Sequence, residues 1–371
     1  MNRKSFLLLT ALALALLPGA ILADNNPGEG GAVYTMDNSA GGNNVLAFQR
    51  APNGSLTFAG AFPTGGTGTG TGLGNQGALL LTGDGRWLFA CNAGSHEISV
   101  FAVTPSGLAL TDKVRSEGLL PISLTLQRNL LYVLNAGGAA GNRDNITAFL
   151  FTSGHLHHIP HSSRALSADN TGPAQVSFAR EGDVLVVTEK ATGIIDTYTV
   201  GADGLVDDHK MFASPVPTPF GFAAGNRGRI FVSEANGGAA NASSVSSYEV
   251  TGDGDVAIIS GSVPTTESAA CWVVLTGNER YAYSSNTGSG TISGYRVSQD
   301  GSLQLLNADG ITGTTGAGPI DMSLSRNSRY LYSLNSGSHT VSAFRVNANG
   351  SLQALPGVSG IPAGANGLAA R

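Results

Sequence analysis

Residues 318–355 read GPIDMSLSRNSRYLYSLNSGSHTVSAFRVNANGSLQAL. Four short apolar runs are separated here by turns rich in Gly, Asn and Ser, and such runs bounded by turn residues predict β-strands. Gly and Asn supply the positive φ that tight hairpins need. The stretch therefore predicts a small antiparallel sheet of four strands.

This sheet pattern recurs along the whole chain. The second strand of each copy ends in Asn or Glu, at Asn38, Asn92, Asn135, Glu189, Glu234, Asn286 and Asn335. These positions are 54, 43, 54, 45, 52 and 49 residues apart, close to the ~40–50 residues of a propeller blade. We therefore predict an all-β protein, a seven-bladed β-propeller of four-stranded antiparallel blades.

The two ends of the repeat array complement each other. The first copy begins at Gly31 with a second strand, and residues 367–371 supply a first strand with nothing after it. Pairing these segments removes the sheet edges that an open ring would expose. We expect the C-terminal strand to join the N-terminal blade and close the ring.

Composition narrows the class of protein. Of 371 residues, 52 are Gly and only 12% are charged, and the net charge is −5. Gly disfavours long helices, and so little charge excludes a coiled coil or a basic nucleic-acid binder. A mildly acidic surface also repels phosphate backbones and anionic lipids. We therefore expect no nucleic-acid partner.

The N-terminus has the pattern of a secretory signal peptide. Arg3 and Lys4 precede an apolar run at residues 6–17 and small residues up to Ala23. A membrane anchor is the alternative, but the run is shorter than the ~20 residues that span a bilayer. We predict a signal peptide at 1–23, the propeller at 24–371, and an exported, periplasmic or extracellular monomer with no membrane insertion after cleavage.

The long connections of every copy fall on one face of the predicted ring, where binding residues concentrate. The seven residues that end the second strands form a ring near the channel mouth on that face. For the five Asn, side-chain bonds to the following turn are a structural explanation. Glu189 and Glu234 are predicted to be catalytic, as acid and base or as cation ligands. Alternatively, Lys190 neutralises them as a plain ion pair.

The first strands of the copies begin on the same face. A mixture of apolar and polar side chains there is typical of a small-ligand pocket. The predicted substrate-binding residues are Lys190, Gln175, Phe220, Trp272, Asn286 and Asp321. Packing between blades is the alternative for the two aromatic residues. A divalent cation is compatible with this mouth, but nothing requires a cofactor and no metal ligands are assigned.

Three other motifs are weaker evidence of function. Residues 72–77 match GxGxxG, but they lack the strand and helix of a dinucleotide-binding unit. His155, His157, His158 and His161 form a cluster in which His155 and His157 would share one side of a strand, as a metal pair requires. That strand is a predicted outer one, however, where polar residues protect a sheet edge. Cys91 and Cys271 fall in opposite blades, too far apart for a disulfide, so we predict two free thiols.

The repeats, such as residues 329–346 with the following Asn349-Gly-Ser-Leu352, resemble the lactonase family of seven-bladed propellers. That family contains 6-phosphogluconolactonase-like proteins and 3-carboxy-cis,cis-muconate lactonizing enzymes. The resemblance implies lactone chemistry with a His, acidic strand ends and Arg residues that hold an anionic substrate. Glu189 and Glu234 match the acids, whereas residues 172–175 lack the His and Thr287 stands where an Arg is expected.

Two functions are compatible with these features. The first is an exported lactonase-like protein, a carboxylic ester hydrolase if it is an enzyme, that hydrolyses or binds a small lactone or related ring compound at the channel mouth. The second is a non-catalytic propeller that binds a protein, glycan or small molecule on its loop-bearing face.

Overall fold

The computed structural model describes residues 30–371 apart from residue 208. Within them, seven antiparallel sheets follow one another along the chain, and the predicted seven-bladed propeller is confirmed. The predicted signal peptide at 1–23 lies outside the described residues. No helix among residues 30–207 and 209–371 is long and apolar enough to cross a membrane.

Each blade is named by its order in the chain, and its strands are given from the channel outwards. Blades 2 and 3 are β4 (Leu79–Leu81), β5 (Trp87–Asn92), β6 (Glu97–Thr104) and β7 (Gly107–Arg115), then β8 (Pro121–Gln127), β9 (Leu130–Asn135), β10 (Asn145–Thr152) and β11 (His155–His158), with β12 (Arg164–Ala165) also on β10. Blades 4 and 5 are β13 (Pro173–Ala179), β14 (Val184–Glu189), β15 (Ile194–Thr199) and β16 (Lys210–Ala213), then β17 (Pro219–Ala224), β18 (Arg229–Glu234), β19 (Ser244–Val250) and β20 (Val256–Pro264).

Blades 6 and 7 complete the regular part of the ring. They are β21 (Ala270–Leu275), β22 (Tyr281–Asn286), β23 (Thr291–Val297) and β24 (Leu303–Leu305) with β25 (Gly313–Thr314), then β26 (Pro319–Leu324), β27 (Tyr330–Asn335), β28 (Thr340–Val346) and β29 (Leu352–Ser359). Short 3-10 turns occur at Gly137–Ala140, Arg180–Gly182, Asn226–Gly228 and Asn236–Gly238.

Blade 1 is built from both ends of the described chain. Its strands are β30 (Asn366–Ala370), β1 (Gly31–Met36), β2 (Asn44–Arg50) and β3 (Leu56–Pro63). β30 pairs antiparallel with β1, placing Leu368 opposite Thr35, and the Thr35 hydroxyl donates to the Gly367 carbonyl at 2.6 Å. The predicted closure is therefore confirmed.

Neighbouring blades are joined by buried apolar side chains and by a repeated tyrosine contact. The hydroxyls of Tyr132, Tyr283 and Tyr332, each on the second strand of a blade, donate to the carbonyls of Gly204, Gly350 and Gly54 in the outer turn of the next blade, at 2.7, 2.8 and 2.8 Å. A buried tyrosine is stable there because its ring adds apolar contact while its hydroxyl has a partner.

The strand directions give the ring two different ends. The turns between first and second strands, and between third and fourth, lie on what we call the turn-bearing face. The longer connections lie on the loop-bearing face, as the sequence predicts.

Candidate functional site

The structure places the ring of Asn and Glu residues between blades. All seven, from Asn38 to Asn335, are fully buried with 0% exposure. Asn335, for example, donates to the hydroxyls of Thr340 and Ser342 on the third strand of its own blade. The ring does not line the channel mouth, because the second strand of each blade stands one strand away from the axis and packs against the neighbouring blade.

Glu189 lies at the interface of blades 3 and 4. Its carboxylate accepts hydrogen bonds from the backbone N–H of Ser167 at 3.0 Å and from the hydroxyls of Ser167 and Thr192. Ser167 belongs to the connection that leaves blade 3. The carboxylate thus ties one blade to the next.

Glu234 has the equivalent position between blades 4 and 5. It accepts hydrogen bonds from the hydroxyls of Ser244, Ser246 at 2.6 Å and Ser214 at 3.2 Å. Burial raises the pKa of the Glu234 carboxyl above its ordinary value, although the serine hydrogen bonds lower it. The structure does not bring Glu189 and Glu234 into contact, and their catalytic role stays a prediction.

A second buried acid, Asp196, faces Glu189 and was not singled out in the sequence. Register places it on β15, two residues beyond the partner of Glu189. Burial raises the pKa of the Asp196 carboxyl to about 9, with a further contribution from the adjacent Glu189 carboxyl. Two carboxyl groups this close stay buried most readily when they share a proton.

The strand register contains a pattern that could have revealed this pair. In the other regular blades the position equivalent to Asp196 carries a hydroxyl, at Ser99, Thr147, Ser246, Ser293 and Ser342. Of blades 2 to 7, only blade 4 has acids both at the end of the second strand and at the facing position of the third. Aligning third strands as well as second strands would have shown it.

Residues 73–77, which we call the plug, cross the channel near the loop-bearing face. This part of the GxGxxG match crosses the channel from blade 2. The Gln76 amide donates to the Val273 carbonyl at 2.9 Å and accepts from the Val273 N–H at 3.1 Å, and the Trp272 indole donates to the Asn75 carbonyl at 2.6 Å. Both partners belong to blade 6.

Further bonds attach the plug to blades 3 and 4. The Gln76 N–H donates to the Ala174 carbonyl at 3.0 Å, the Leu124 N–H donates to the Gly77 carbonyl at 2.9 Å, and the Asn75 amide donates to the Ile122 carbonyl. Gly221 of blade 5 leaves room for it, because a Cβ there would lie 2.0 Å from the Gln76 amide oxygen. The plug therefore bridges the inner strands of several blades.

Three of the predicted substrate-binding residues meet beside the plug. The Lys190 ammonium lies 4.8 Å from the centroid of the Phe220 ring, whose centroid is 5.0 Å from that of Trp272. Lys190 also donates to the carbonyls of Gly74 and of Pro173, the latter at 2.9 Å. It holds the plug and does not form an ion pair with Glu189 or Glu234. Burial lowers the pKa of Lys190 to about 8, although Cys271 and Asp144 raise it.

The other three predicted residues are separate and buried. The Gln175 amide forms two hydrogen bonds with the backbone of Phe222, at 2.7 and 3.0 Å. Asn286 donates to Thr291 and Ser293 within its blade. Asp321 accepts from the Met322 N–H at 2.8 Å, and burial raises its pKa well above the ordinary value.

The free thiols are confirmed, since Cys91 and Cys271 are buried and unpaired with each other. Within the part of the chain that the structure describes, no group of three or more His, Cys, Asp or Glu side chains is arranged to hold a metal ion. His155, His157 and His158 lie on or at the end of the outer strand of blade 3 with exposed side chains, as the pattern indicates.

The opposite end of the channel holds a cavity that the sequence did not suggest. It has a volume of about 790 Å³ and is lined by the inner strands of blades 7, 1 and 2 and by their turns. β30 and β1 come from distant parts of the chain, so no hairpin turn joins the first two strands of blade 1. The cavity lies where the other blades have such a turn.

No family model and no curated protein matches the chain in sequence. In structure it is similar to a candidate 6-phosphogluconolactonase of Bacteroides fragilis, with 17% identity, 91% of this chain and 97% of the other covered, and a TM-score of 0.66. It is also similar to the periplasmic gluconolactonase PpgL of Pseudomonas aeruginosa, with 14% identity, 90% and 98% coverage, and a TM-score of 0.66.

A third similar structure is the hydrazine synthase of Kuenenia stuttgartiensis, with 16% identity, 92% and 99% coverage, and a TM-score of 0.60. At such low identities the TM-scores establish the fold alone: the protein is a seven-bladed propeller of lactonase-like architecture. The range of activities on this fold shows that function depends on the site that each chain carries.

Proposed function

We propose that this protein is a lactonase-like propeller that binds a small molecule at the open end of its channel without hydrolysing it. The observation that carries the proposal is the asymmetry of the channel. The plug crosses the channel at the loop-bearing end, whereas the turn-bearing end of the described chain has a cavity of about 790 Å³. This volume is within the ~300–1,000 Å³ of ordinary ligand sites.

The buried acids favour binding over hydrolysis. A general acid or base has to come within hydrogen-bond reach of the substrate. Glu189 and Glu234 have 0% exposure, and serine and threonine side chains occupy their oxygens. A lactone at the channel mouth would have to displace blade contacts to reach either carboxylate.

A substitution in the cavity wall tests this proposal. Gly83 lines the cavity, and a Cβ on it would meet nothing within 4 Å. Gly83→Trp should therefore place a bulky ring at the cavity wall without disturbing the fold. Gly277→Trp, at the equivalent turn of blade 6, is the matched control. In calorimetric titrations with a panel of small amphipathic compounds, the first variant should lose binding and the second should keep it. Binding retained by Gly83→Trp would contradict the proposal.

Lactone hydrolysis is a second candidate, favoured by Lys190. Its amine ionises with a pKa of about 8 beside the Phe220 ring on the loop-bearing face, so a neutral amine is accessible near physiological pH. A panel of uncharged lactones should be assayed with the wild type, with Lys190→Met, and with Glu189→Gln combined with Glu234→Gln. Turnover lost in the double variant would support the acid pair, and turnover lost only in Lys190→Met would support the lysine.

Export belongs to the same proposal. Residues 1–23 have the pattern of a signal peptide, and we propose a periplasmic or extracellular location for the mature monomer. N-terminal sequencing of protein recovered from the periplasmic and culture fractions should begin at Asp24. Recovery only from the cytoplasm with residues 1–23 intact would contradict export.

A further inference from the structure

We infer that the turn-bearing face of blades 5 to 7 binds an acidic polysaccharide, a chain of sugars that carry carboxylates. This surface is separate from the cavity between blades 7, 1 and 2, so either site can exist without the other. The surface consists of five exposed arginines, which we call the arginine band: Arg227, Arg280, Arg296, Arg329 and Arg345.

Four arginines of the band occupy repeated positions in blades 6 and 7. Arg280 and Arg329 come directly before the second strand of their blades. Arg296 and Arg345 lie on the third strands, each opposite the first residue of the second strand. Blades 2 to 5 have no arginine pair at these two positions. Two neighbouring blades therefore present the same pair of cations side by side.

Hydrogen bonds between turns hold the three blades of the band together. The Asn226 N–H of blade 5 donates to the Glu279 carboxylate of blade 6 at 2.5 Å. The Gly277 N–H of blade 6 donates to the Ser328 hydroxyl of blade 7 at 2.9 Å. Three arginines of the band are sequence neighbours of these residues. The band therefore continues from blade 5 to blade 7.

The guanidinium groups of the band are available to a ligand. Among the residues that the structure describes, none accepts a hydrogen bond from these five side chains or forms an ion pair with them. Arg280 and Arg296 lie 5.9 and 5.8 Å from the centroid of the Tyr281 ring. This contact with a ring positions both groups while their N–H donors stay unused.

Some carboxylates on the turn-bearing face have partners outside the band. Asp253 and Asp255 lie 3.8 and 2.7 Å from the Lys210 ammonium of blade 4. The terminal carboxylate of Arg371 accepts from Arg50 at 3.0 Å. These acids therefore do not neutralise the arginine band.

Three carboxylates adjoin the band itself. Glu249 lies opposite Arg229, a half-buried arginine outside the band. Glu279 accepts the bond between blades 5 and 6, and Asp300 accepts from the Ser302 N–H at 3.0 Å and hydroxyl at 2.8 Å. With Arg229 counted, six guanidinium groups adjoin three carboxylates, in a chain whose net charge is −5. A surface with such an excess attracts anions.

The lining of the recess between blades 5 and 6 suits a sugar. This recess has a volume of about 590 Å³, and three arginines of the band line it. The exposed polar residues beside them are Asn226, Asn278, Ser298 and Gln299. Amide and hydroxyl side chains can bond to sugar hydroxyls, and a guanidinium forms two parallel hydrogen bonds with a carboxylate. A chain of acidic sugars can therefore bind here and extend towards Arg329 and Arg345.

A single-stranded nucleic acid fits the band less well. Proteins that bind such strands stack the bases on aromatic side chains. The aromatic residues next to the band, Tyr281 and Tyr330, are only 4% and 2% exposed. Their rings are therefore not open to a base, and the band offers charge and polar groups alone.

A hexamer of galacturonate is a suitable probe, with its full methyl ester as the uncharged counterpart and oligothymidylate as the nucleic acid. Fluorescence anisotropy of labelled probes at low salt would compare the wild type with Arg280→Gln combined with Arg296→Gln. Arg86→Gln combined with Arg128→Gln is the matched control, because it removes the same charge from exposed turns of blades 2 and 3 on the same face. The galacturonate hexamer should bind about tenfold more weakly to the first variant and unchanged to the control. Added salt should weaken binding to the wild type.

Arg227→Gln combined with Arg329→Gln is a second variant, because neither side chain contacts Tyr281 as Arg280 and Arg296 do. It should weaken binding of the hexamer similarly, with an unchanged midpoint of thermal unfolding. Equal affinities of both variants and the control would overturn the arginine band as the site. Equal affinity for the methyl ester would overturn recognition of carboxylates, and tighter binding of oligothymidylate would overturn the polysaccharide as the partner. A wild type that does not bind the hexamer at low salt would overturn the inference as a whole.

Discussion

Asp196 and Glu189 are carboxylic acids that face each other on adjacent strands of blade 4, both with 0% exposure. In the other regular blades this pair is Asn with Ser or Thr, or Glu234 with Ser246. No described hydroxyl or backbone N–H bonds to the Asp196 oxygens, whose neighbour is the Glu189 carboxyl. Blade 4 therefore carries a buried pair of acids that the other regular blades lack.

Replacing Asp196 with the repeat residue should stabilise the protein at neutral and alkaline pH. The pKa of Asp196 is raised from 3.8 to about 9 in the folded protein, so between these values the folded state holds a proton that the unfolded state releases. Its contribution to stability therefore falls as pH rises through this window. Asp196→Ser should increase the free energy of unfolding by about 1–3 kcal/mol at pH 8, with little change at pH 4.

Denaturant titrations at both pH values measure this effect. Ser246→Asp is the matched control, because it places a second acid opposite Glu234 in blade 5. It should destabilise the protein and introduce the same pH dependence. If Asp196→Ser loses stability equally at pH 4 and pH 8, ionisation of Asp196 does not destabilise the folded protein.

The plug should depend on the amide of Gln76. Gln76→Glu removes the donor to the Val273 carbonyl and places a carboxylate where an N–H is needed, at a cost of about 1–3 kcal/mol. Because the Trp272 indole donates to the adjacent Asn75 carbonyl, its fluorescence should also shift. Gln304→Glu, on an exposed outer strand, should alter neither stability nor emission. Unchanged Trp272 emission in Gln76→Glu would argue against a plug held by this side chain.

Ring closure should contribute measurably to stability. Leu368 on β30 is 6% exposed and packs in the cluster between blades 7 and 1. Leu368→Ala should lower the free energy of unfolding by about 2–4 kcal/mol. Leu110→Ala, at a side chain 45% exposed on an outer strand, should cost less than about 0.5 kcal/mol. Similar losses in the two variants by chemical denaturation would contradict a structural role for β30.

The two thiols should be inert in the folded protein. Burial raises the pKa of Cys271 to about 11 and raises that of Cys91 further, and the thiolate is the reactive form. A chromogenic disulfide reagent at pH 8 should label neither cysteine in buffer and both in denaturant. Rapid labelling of the native protein would show that the interior of blade 2 or blade 6 opens readily.

Much of the fold could be predicted because its determinants are local and repeated. Alternation of apolar residues, turn residues at fixed intervals and a recurring Asn or Glu specify strands, hairpins and seven blades. The unmatched segments at Gly31 and at 367–371 specify the closure. Each of these features is read within one blade or by comparing blades.

The site depends on contacts between distant parts of the chain. Only the tertiary structure determined which residues meet there. The sequence shows that Glu189 and Glu234 end second strands, but it does not show that their side chains lie between blades. That placement depends on how the neighbouring blade packs against each strand. Gln76 and Val273 are far apart in sequence, so the plug has no local pattern. The open cavity exists because closure of the ring joins β30 to β1 without a hairpin turn, a consequence of topology that no single segment contains.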